Sequence, residues 1–240
     1  MSIPNHNFLI GPVDTDSISA CKKDMTTFTP EEKKRLIEEI NLISPDFMEW
    51  EHDGSYECVI VIKAKNYILY DGNKIKIKGS ALKASGKGTA EKEIIKKTID
   101  ILLFTHDIEE AKEKIITLYN QYVDEALFIE SSEQILRWSS RKTISEKILS
   151  SERENEAKVR RAIEGSDYVE GDRVRVFFKP DDSLCLVEKF NGDYDRRKLL
   201  DKLYKTMLVF NTVINTKELL PNYALKKHRK ILYDKYQFDF

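Results

Sequence analysis

Two aspartates at the end of an apolar segment are the residues of this sequence best suited to chemistry. The segment FLIGPV, residues 8–13, is followed directly by Asp14-Thr15-Asp16-Ser17. Carboxylates two residues apart on a strand point to the same face, where they repel each other unless a cation lies between them. Proteins bind Mg²⁺ through one or two carboxylates together with substrate phosphates, which suits phosphoryl transfer. On these residues alone, a metal site and a surface turn that bonds its own backbone are equally good interpretations.

Further along the chain, lysines occupy every second position of the segment KIKIKG. Lys74, Lys76 and Lys78 alternate there with Ile75 and Ile77. Alternate side chains of a strand share a face, so we expect three ammonium groups on one side and the isoleucines anchoring the other. Such a surface suits a phosphate backbone. A solvated sheet edge that lysines protect against aggregation is the alternative.

The segments on either side of this strand add charge and backbone amides. Lys63, Lys65 and Tyr67 are expected on one face of the opposing strand. The chain then continues from the lysine strand through Gly79 and Lys83. The sequence therefore predicts a basic β-hairpin.

The elements that must position these residues indicate an α+β fold. A capping box at Thr29 and Glu32, with proline in the first turn, predicts a helix over 30–43. Gly11-Pro12 predicts a break in the first strand, and Asp71-Gly72-Asn73 predicts the turn of the basic hairpin. We therefore expect a strand-rich first domain over residues 1–88.

Residues 89–240 are predicted to form a second, mostly helical domain. Two helices are expected on either side of a break near Thr105-His106, and a third helical region over 132–163. GDRVRVFFKPDDSLCLVE predicts a small hairpin insertion, and a broad apolar stripe predicts a helix over 194–215.

Composition narrows the class of protein. The 240 residues carry 40 Lys and Arg against 41 Asp and Glu, and no apolar segment approaches the roughly 20 residues of a membrane helix. Together with the absence of a signal peptide in MSIPNHNF, this favours a soluble, cytoplasmic protein without membrane partners. Three widely spaced cysteines predict buried free thiols rather than a disulfide framework or a zinc site.

Charge is unevenly distributed along this nearly neutral chain. Residues 61–100 have a net charge of +6, 101–134 of −6, 135–161 of +4 and 196–240 of +7. Basic regions therefore lie on both sides of an acidic one.

Several of these motifs, in their order, resemble family B DNA polymerases. Asp14-Thr15-Asp16-Ser17-Ile18 resembles the family's third palm motif, written YxDTDS, although Pro12 stands where the family usually has tyrosine. Lys65-Asn66-Tyr67 resembles its KxY motif, and Lys78-Gly79 followed by Lys83 resembles the next segment. The region containing Gly171-Asp172-Arg173-Val174-Arg175 resembles the thumb. The resemblance spans most of the chain.

The resemblance implies a function for each matched residue. Asp16 would bind the two catalytic Mg²⁺ ions of a DNA-directed DNA polymerase, with Asp14 as a supporting carboxylate. Lys65 and Tyr67 would contact primer–template DNA near the primer end, and the thumb would grip the duplex behind it. Deoxynucleoside triphosphates would be the second substrate.

Nothing in the sequence resembles the first palm motif or the helix that binds the incoming nucleotide, and Met1 lies thirteen residues before Asp14. The resemblance therefore implies a late palm plus thumb, the C-terminal part of a split or truncated polymerase. We expect an N-terminal polymerase chain as partner, completing the metal site, and no activity of this chain alone. Compact viral or phage replication genes are often rearranged in this way.

Other interpretations remain open. A non-catalytic DNA-binding or assembly subunit would keep the fold with vestigial aspartates. An aspartate-nucleophile phosphatase would also place two aspartates after an apolar strand, but it requires alternating strands and helices behind them. The aromatic tail, Tyr233, Tyr236, Phe238 and Phe240, suits either a docking peptide for a sliding clamp or simple packing onto the thumb.

Overall fold

The structure, a computed structural model, describes residues 8–13, 16–82 and 88–237. They form a mixed α+β fold of helices and small antiparallel sheets, which confirms the predicted fold class. The chain divides into two compact units, Met1–Lys83 (unit 1) and Ala84–Phe240 (unit 2). Of the helices in the described part, none has the length and apolar character needed to cross a membrane.

Unit 1 begins with a hairpin of two antiparallel strands, β1 (Phe8–Val13) and β2 (Ile18–Lys22). The register shifts between Ile10 and Val13, so β1 continues through Gly11-Pro12 as a bulged strand. The predicted break at this point is wrong. Proline has no amide hydrogen to donate, but a bulge in an outer strand tolerates this loss.

The helix α1 (Pro30–Ile43) has the predicted bounds and the predicted capping box. The amide of Glu32 donates to Thr29 Oγ1 at 3.2 Å, and the amide of Thr29 donates to Glu32 Oε2 at 2.8 Å. No residue of α1 is fully buried, and Leu42 and Ile43 are largely exposed. The apolar side of this helix is therefore only partly covered.

A three-stranded meander follows, formed by β3 (Cys58–Lys63), β4 (Asn66–Tyr70) and β5 (Ile75–Lys78) in that order. The segment YECVIVIKAKNYILY predicts one long strand before the turn at Asp71, but the chain also turns at Ala64-Lys65. Lys65 adopts a φ of +58°, a conformation that lysine rarely takes. No glycine or proline marks this turn, which is why sequence patterns miss it.

Unit 2 is built around α2 (Thr89–Phe104), α3 (Ile108–Leu127) and α7 (Arg196–Met207). The predicted break between the first two helices is confirmed. Their apolar stripes form the core, as burial of a one-sided helix face requires. The fully buried members include Ile94, Ile99, Ile115, Leu200, Leu203 and Met207.

The region 132–163 differs from the predicted helical stretch. It contains α4 (Ser132–Trp138), β6 (Ser140–Thr143), α5 (Glu146–Ser150) and α6 (Glu154–Ile163). The predicted hairpin is present as β7 (Arg173–Phe178) and β8 (Leu184–Leu186), followed by a 3₁₀ turn. Because β6 pairs with β7, the result is a three-stranded sheet in the order β6–β7–β8.

The end of the chain is more broken than the predicted helix over 194–215. A 3₁₀ turn over 208–210 follows α7, and α8 (Asn211–Ile214), α9 (Thr216–Leu219) and α10 (Lys226–Tyr236) complete the described part. In the aromatic tail, Tyr236 contacts Phe128 edge to face and donates a hydrogen bond to Asp124. Phe238 and Phe240 lie outside the described residues.

The three cysteines are unpaired. Cys21 is exposed, and Cys58 and Cys185 are partly buried, so the expectation that all three are buried is wrong. Partial burial raises the pKa of the Cys58 thiol, because the thiolate loses hydration. Burial raises the pKa of Cys185 as well, so neither Cys58 nor Cys185 lies in an environment that favours a reactive thiolate.

Candidate nucleic-acid interface

The register of the meander places lysines and packed side chains on one face. Lys78 lies opposite Tyr67, and Lys76 lies opposite Leu69, across the β4–β5 ladder. On the other side of β4, Val61 and Val59 lie opposite the same Tyr67 and Leu69. Directly opposite residues of antiparallel strands share a face. We call this the lysine face; its members are Val59, Val61, Tyr67, Leu69, Lys76 and Lys78.

The lysine face is cationic at one edge and apolar across its centre. Tyr67 and Leu69 are buried, whereas Lys76 and Lys78 are exposed. Val59 and Val61 are 37% and 44% exposed on the outer strand. Neither Lys76 nor Lys78 forms an ion pair with another described residue, so their charge is available to an external anion.

Buried isoleucines on the opposite face anchor the meander. Ile68, on the central strand, is fully buried, and Ile77 opposite it is half-buried. Ile75, however, is 37% exposed. The expectation that the isoleucines anchor the lysine strand is therefore confirmed for Ile77, whereas Ile75 is exposed.

Lys74 lies in the turn before β5, outside the strand itself. The carboxylate of Asp71 accepts hydrogen bonds from the amides of Asn73, at 2.9 Å, and of Lys74, at 2.6 Å. These backbone hydrogen bonds lower the pKa of Asp71, because they favour its ionised form. The predicted ribbon of three lysines is therefore two lysines on the strand and one in a turn beside an acidic group.

The residues of the KxY-like motif meet the end of β5 at a buried asparagine. Asn66 donates to the carbonyl of Ala64 at 2.9 Å and accepts from the amide of Ala81 at 2.8 Å. Gly79 has a φ of +88°, and a Cβ there would collide with the Asn66 side chain and the Lys65 carbonyl. Only glycine fits this position without strain.

The structure thus brings Lys65, Tyr67, Lys78 and Gly79 together at one end of the meander. Lys63 ends β3 and lies opposite Asn66, so the predicted strand shared by Lys63, Lys65 and Tyr67 is wrong. Sequence reasoning missed the role of Asn66. The available signal was the tendency of asparagine to bond nearby backbone at turns. Lys83 lies outside the described residues.

Of the two predicted metal ligands, the structure describes Asp16. It is exposed in the β1–β2 connection, next to the pair formed by Val13 and Ile18, and Asp14 lies outside the described residues. Asp16 forms no hydrogen bond or ion pair with the rest of the described chain, the lysine face included. Within that part, no group of three or more His, Cys, Asp or Glu side chains could hold a metal ion. These residues by themselves do not complete a Mg²⁺ site.

Among solved structures, a family B DNA polymerase from the hyperthermophilic archaeon Pyrobaculum calidifontis has a similar fold. The TM-score is 0.64 at 16% sequence identity, and the alignment covers 86% of this chain. The fold is polymerase-like. The alignment covers 27% of that polymerase chain, so this chain spans about a quarter of its length. No protein-family model and no curated protein sequence matches this chain.

Proposed function

We propose that this chain is the C-terminal part of a family B DNA polymerase, with residues 1–88 in the palm and 89–240 as the thumb. The observation that carries the proposal is the polymerase-like fold, which extends over 86% of the chain. Neither unit contains that share of the residues, so the alignment includes parts of both units. The sequence motifs and the polymerase-like fold both support this family.

The lysine face is the proposed primer–template contact. Phosphate contacts position a protein on DNA and are made by exposed cations and backbone amides. Lys76 and Lys78 supply exposed charge, and the Ala64-Lys65 turn and Gly79 lie beside Lys78. Tyr67, which the resemblance would place against the DNA, is buried opposite Lys78, so in this proposal it supports Lys78. Lys74, in the turn before β5, adds a further cation, and Lys83 is a proposed contact on its sequence motif alone.

Asp14 and Asp16 are the proposed ligands of catalytic Mg²⁺, in a site that a partner chain completes. When bound, two such ions neutralise charge and orient the reacting oxygens in nucleotidyl transfer. The contribution of this chain is the β1–β2 hairpin, which holds Asp16 at an exposed turn where a metal ion and the partner chain can reach it.

The partner chain in this proposal carries the remaining palm and the fingers. Leu9, Ile10 and Val13 on β1 are 46%, 49% and 57% exposed, close in sequence to the proposed metal ligands. An outer strand with exposed apolar side chains and free backbone groups is suited to pairing with another chain. Alone, this chain is expected to bind DNA weakly and to add no nucleotides.

A non-catalytic DNA-binding or assembly subunit is the second candidate. Pro12 favours it, because it stands where the family usually has tyrosine, on a strand whose register shifts directly before the aspartates. The phosphatase alternative loses support, because it needs a parallel sheet and every described strand pair is antiparallel.

Binding of labelled DNA by the purified chain tests the proposal. A primer–template junction, a blunt duplex and a single strand are compared across a salt series, with circular dichroism on the same sample to verify folding. We expect salt-sensitive binding that favours the junction over the single strand. A folded chain that binds none of the three at low salt would overturn the proposal.

A further inference from the structure

The segment at the end of α1 combines exposed apolar side chains with exposed carboxylates. We call residues 42–53 the acidic loop. Its apolar members Leu42, Ile43, Phe47 and Met48 are 84%, 54%, 88% and 43% exposed. Large apolar side chains are usually buried, and a group of them at the surface with polar residues around it is typical of an interaction site.

Hydrogen bonds close the acidic loop against the end of α1. The side chain of Asn41, in the last turn of the helix, donates to the carbonyl of Trp50 at 3.0 Å and accepts from its amide at 2.7 Å. Within the loop, the amide of Met48 donates to the carbonyl of Pro45 at 2.8 Å, which forms a turn that contains Phe47. The exposed apolar residues therefore belong to one short loop with defined ends.

The acidic loop lies in a part of the sequence that has no basic residue. Between Arg35 and Lys63 the chain contains seven Asp and Glu and no Lys or Arg. Four of these carboxylates are exposed within the loop and form no ion pair with another described residue. They are Asp46, Glu49, Glu51 and Asp53.

The carboxylates on α1 itself show the contrast. Glu38 lies 3.8 Å from Lys34, and Glu39 lies 2.8 Å from Arg35, so helix lysine and arginine balance their charge. Lys33 also reaches the segment after the helix, but it donates to the neutral hydroxyl of Ser55 at 2.7 Å. The charge of the acidic loop is therefore not balanced within the described part of the chain.

We propose that the acidic loop binds a basic amphipathic segment of a protein partner. Charge determines the class of partner, because carboxylates repel the phosphates of nucleic acids and attract lysine and arginine. Phe47 is the proposed anchor, since aromatic side chains that become buried at an interface often supply most of the binding energy. The carboxylates would pair with the basic residues on either side of the partner's apolar stripe.

The closed geometry of the loop favours such an interaction. Asn41 and the turn at Pro45 hold the backbone before a partner arrives, so less conformational freedom is lost on binding. The proposal goes beyond the proposed function, because it uses neither the likeness to polymerases nor the exposed residues of β1.

Three short synthetic peptides test the chemistry of the partner. The first is a fluorescein-labelled helical peptide of leucine and lysine, which presents an apolar stripe beside a row of cations. The second has serine in place of leucine, and the third has glutamate in place of lysine. Fluorescence anisotropy with the full chain should show tight binding of the first peptide only. Equal binding of the first and second, or of the first and third, would overturn the proposal.

Phe47→Ser should weaken binding of the leucine–lysine peptide by about tenfold or more, because it removes the anchor. Circular dichroism should be unchanged, since Phe47 is almost fully exposed. Val169→Ser is the matched control: Val169 is 63% exposed and precedes Glu170, but it lies in unit 2. A folded Phe47→Ser variant that binds the peptide as the wild type does would contradict the proposal.

The carboxylates are tested separately, and this variant decides the question if Phe47→Ser does not fold. Glu49→Gln combined with Glu51→Gln should weaken peptide binding by about threefold and reduce its salt dependence. Glu152→Gln combined with Glu164→Gln is the control, a change of two exposed carboxylates in unit 2. The same loss in both double variants would mean that net charge alone attracts the peptide.

Two further measurements separate other occupants and the proposed function. Self-association in analytical ultracentrifugation that Phe47→Ser abolishes would identify a second copy as the occupant and contradict a basic partner. Binding of primer–template DNA should be the same for Phe47→Ser and the wild type. A chain that binds this DNA but no peptide overturns the present proposal only, whereas a folded chain that binds the leucine–lysine peptide through Phe47 but no DNA overturns the proposed function only.

Discussion

Lys78 lies directly opposite Tyr67 in the β4–β5 ladder, so that an exposed ammonium group and a buried tyrosine share one face. Tyr67 is in turn opposite Val61 on the other neighbouring strand. The lysine thus projects from a packed surface, and little conformational freedom of the strand is lost when it binds an anion. This pre-organisation distinguishes it from a lysine on a loop.

We expect Lys76→Gln and Lys78→Gln each to weaken primer–template binding, because each removes an exposed cation from the lysine face. The slope of log affinity against log salt should fall by about 0.9 per lost contact. Lys34→Gln is the control, since Lys34 is also exposed but pairs with Glu38 at 3.8 Å on α1. Equal effects of all three variants would mean that net charge, rather than the lysine face, controls binding.

Gly79→Ala should destabilise unit 1 by about 2 kcal/mol or more, because a φ of +88° is strained for alanine and its Cβ would meet Lys65 and Asn66. Urea denaturation measures the free energy of unfolding. Gly165→Ala is the matched control: Gly165 has a φ of +73° but open space around it, so only the backbone strain remains. The same loss at both positions would show that the close approach at Gly79 has no energetic consequence.

Local signals predict the helices well and the sheets only in part. The capping box of α1 and the break between α2 and α3 depend on neighbouring residues, and both are confirmed. The turn at Ala64-Lys65 has no such signal, because the residue with a positive φ is a lysine and not a glycine or asparagine. The strand β6 is polar, and its partner β7 begins about thirty residues later in the chain, so its pairing is a long-range contact.

In the candidate site, too, local patterns predict some features, whereas others depend on which strands pair. Alternation predicts that Lys76 and Lys78 share a face, since side chains on a strand alternate. The burial of Tyr67 and the bonds made by Asn66 depend on which strands pair, and no local pattern gives the register across an unmarked turn.

Lys202→Met should destabilise unit 2 by about 2 kcal/mol or more. Glu91, at 1% exposure, lies 2.6 Å from Lys202 Nζ and accepts hydrogen bonds from the amide of Gly88 and the hydroxyl of Thr206. Removing Lys202 leaves a buried carboxylate without its counter-charge, which costs more than losing both charges together. The double variant Glu91→Gln with Lys202→Met should therefore be more stable than Lys202→Met alone, as a double-mutant cycle in thermal denaturation can measure. Strict additivity would contradict the coupling.

Asp16→Ala should abolish nucleotide addition once the chain is completed by a partner carrying the remaining palm and fingers. Asp16 forms no hydrogen bond or ion pair within the described residues and is exposed, so its loss should change the free energy of unfolding by no more than about 0.5 kcal/mol. Binding of primer–template DNA in the absence of divalent metal should also stay the same, since the lysine face is untouched.

Asp53→Ala is the control, an exposed aspartate of the same unit that should leave extension unchanged. A completed enzyme that extends primers equally well with and without Asp16 would exclude its metal-binding role. That result would favour the non-catalytic subunit, in which Asp14 and Asp16 are vestigial.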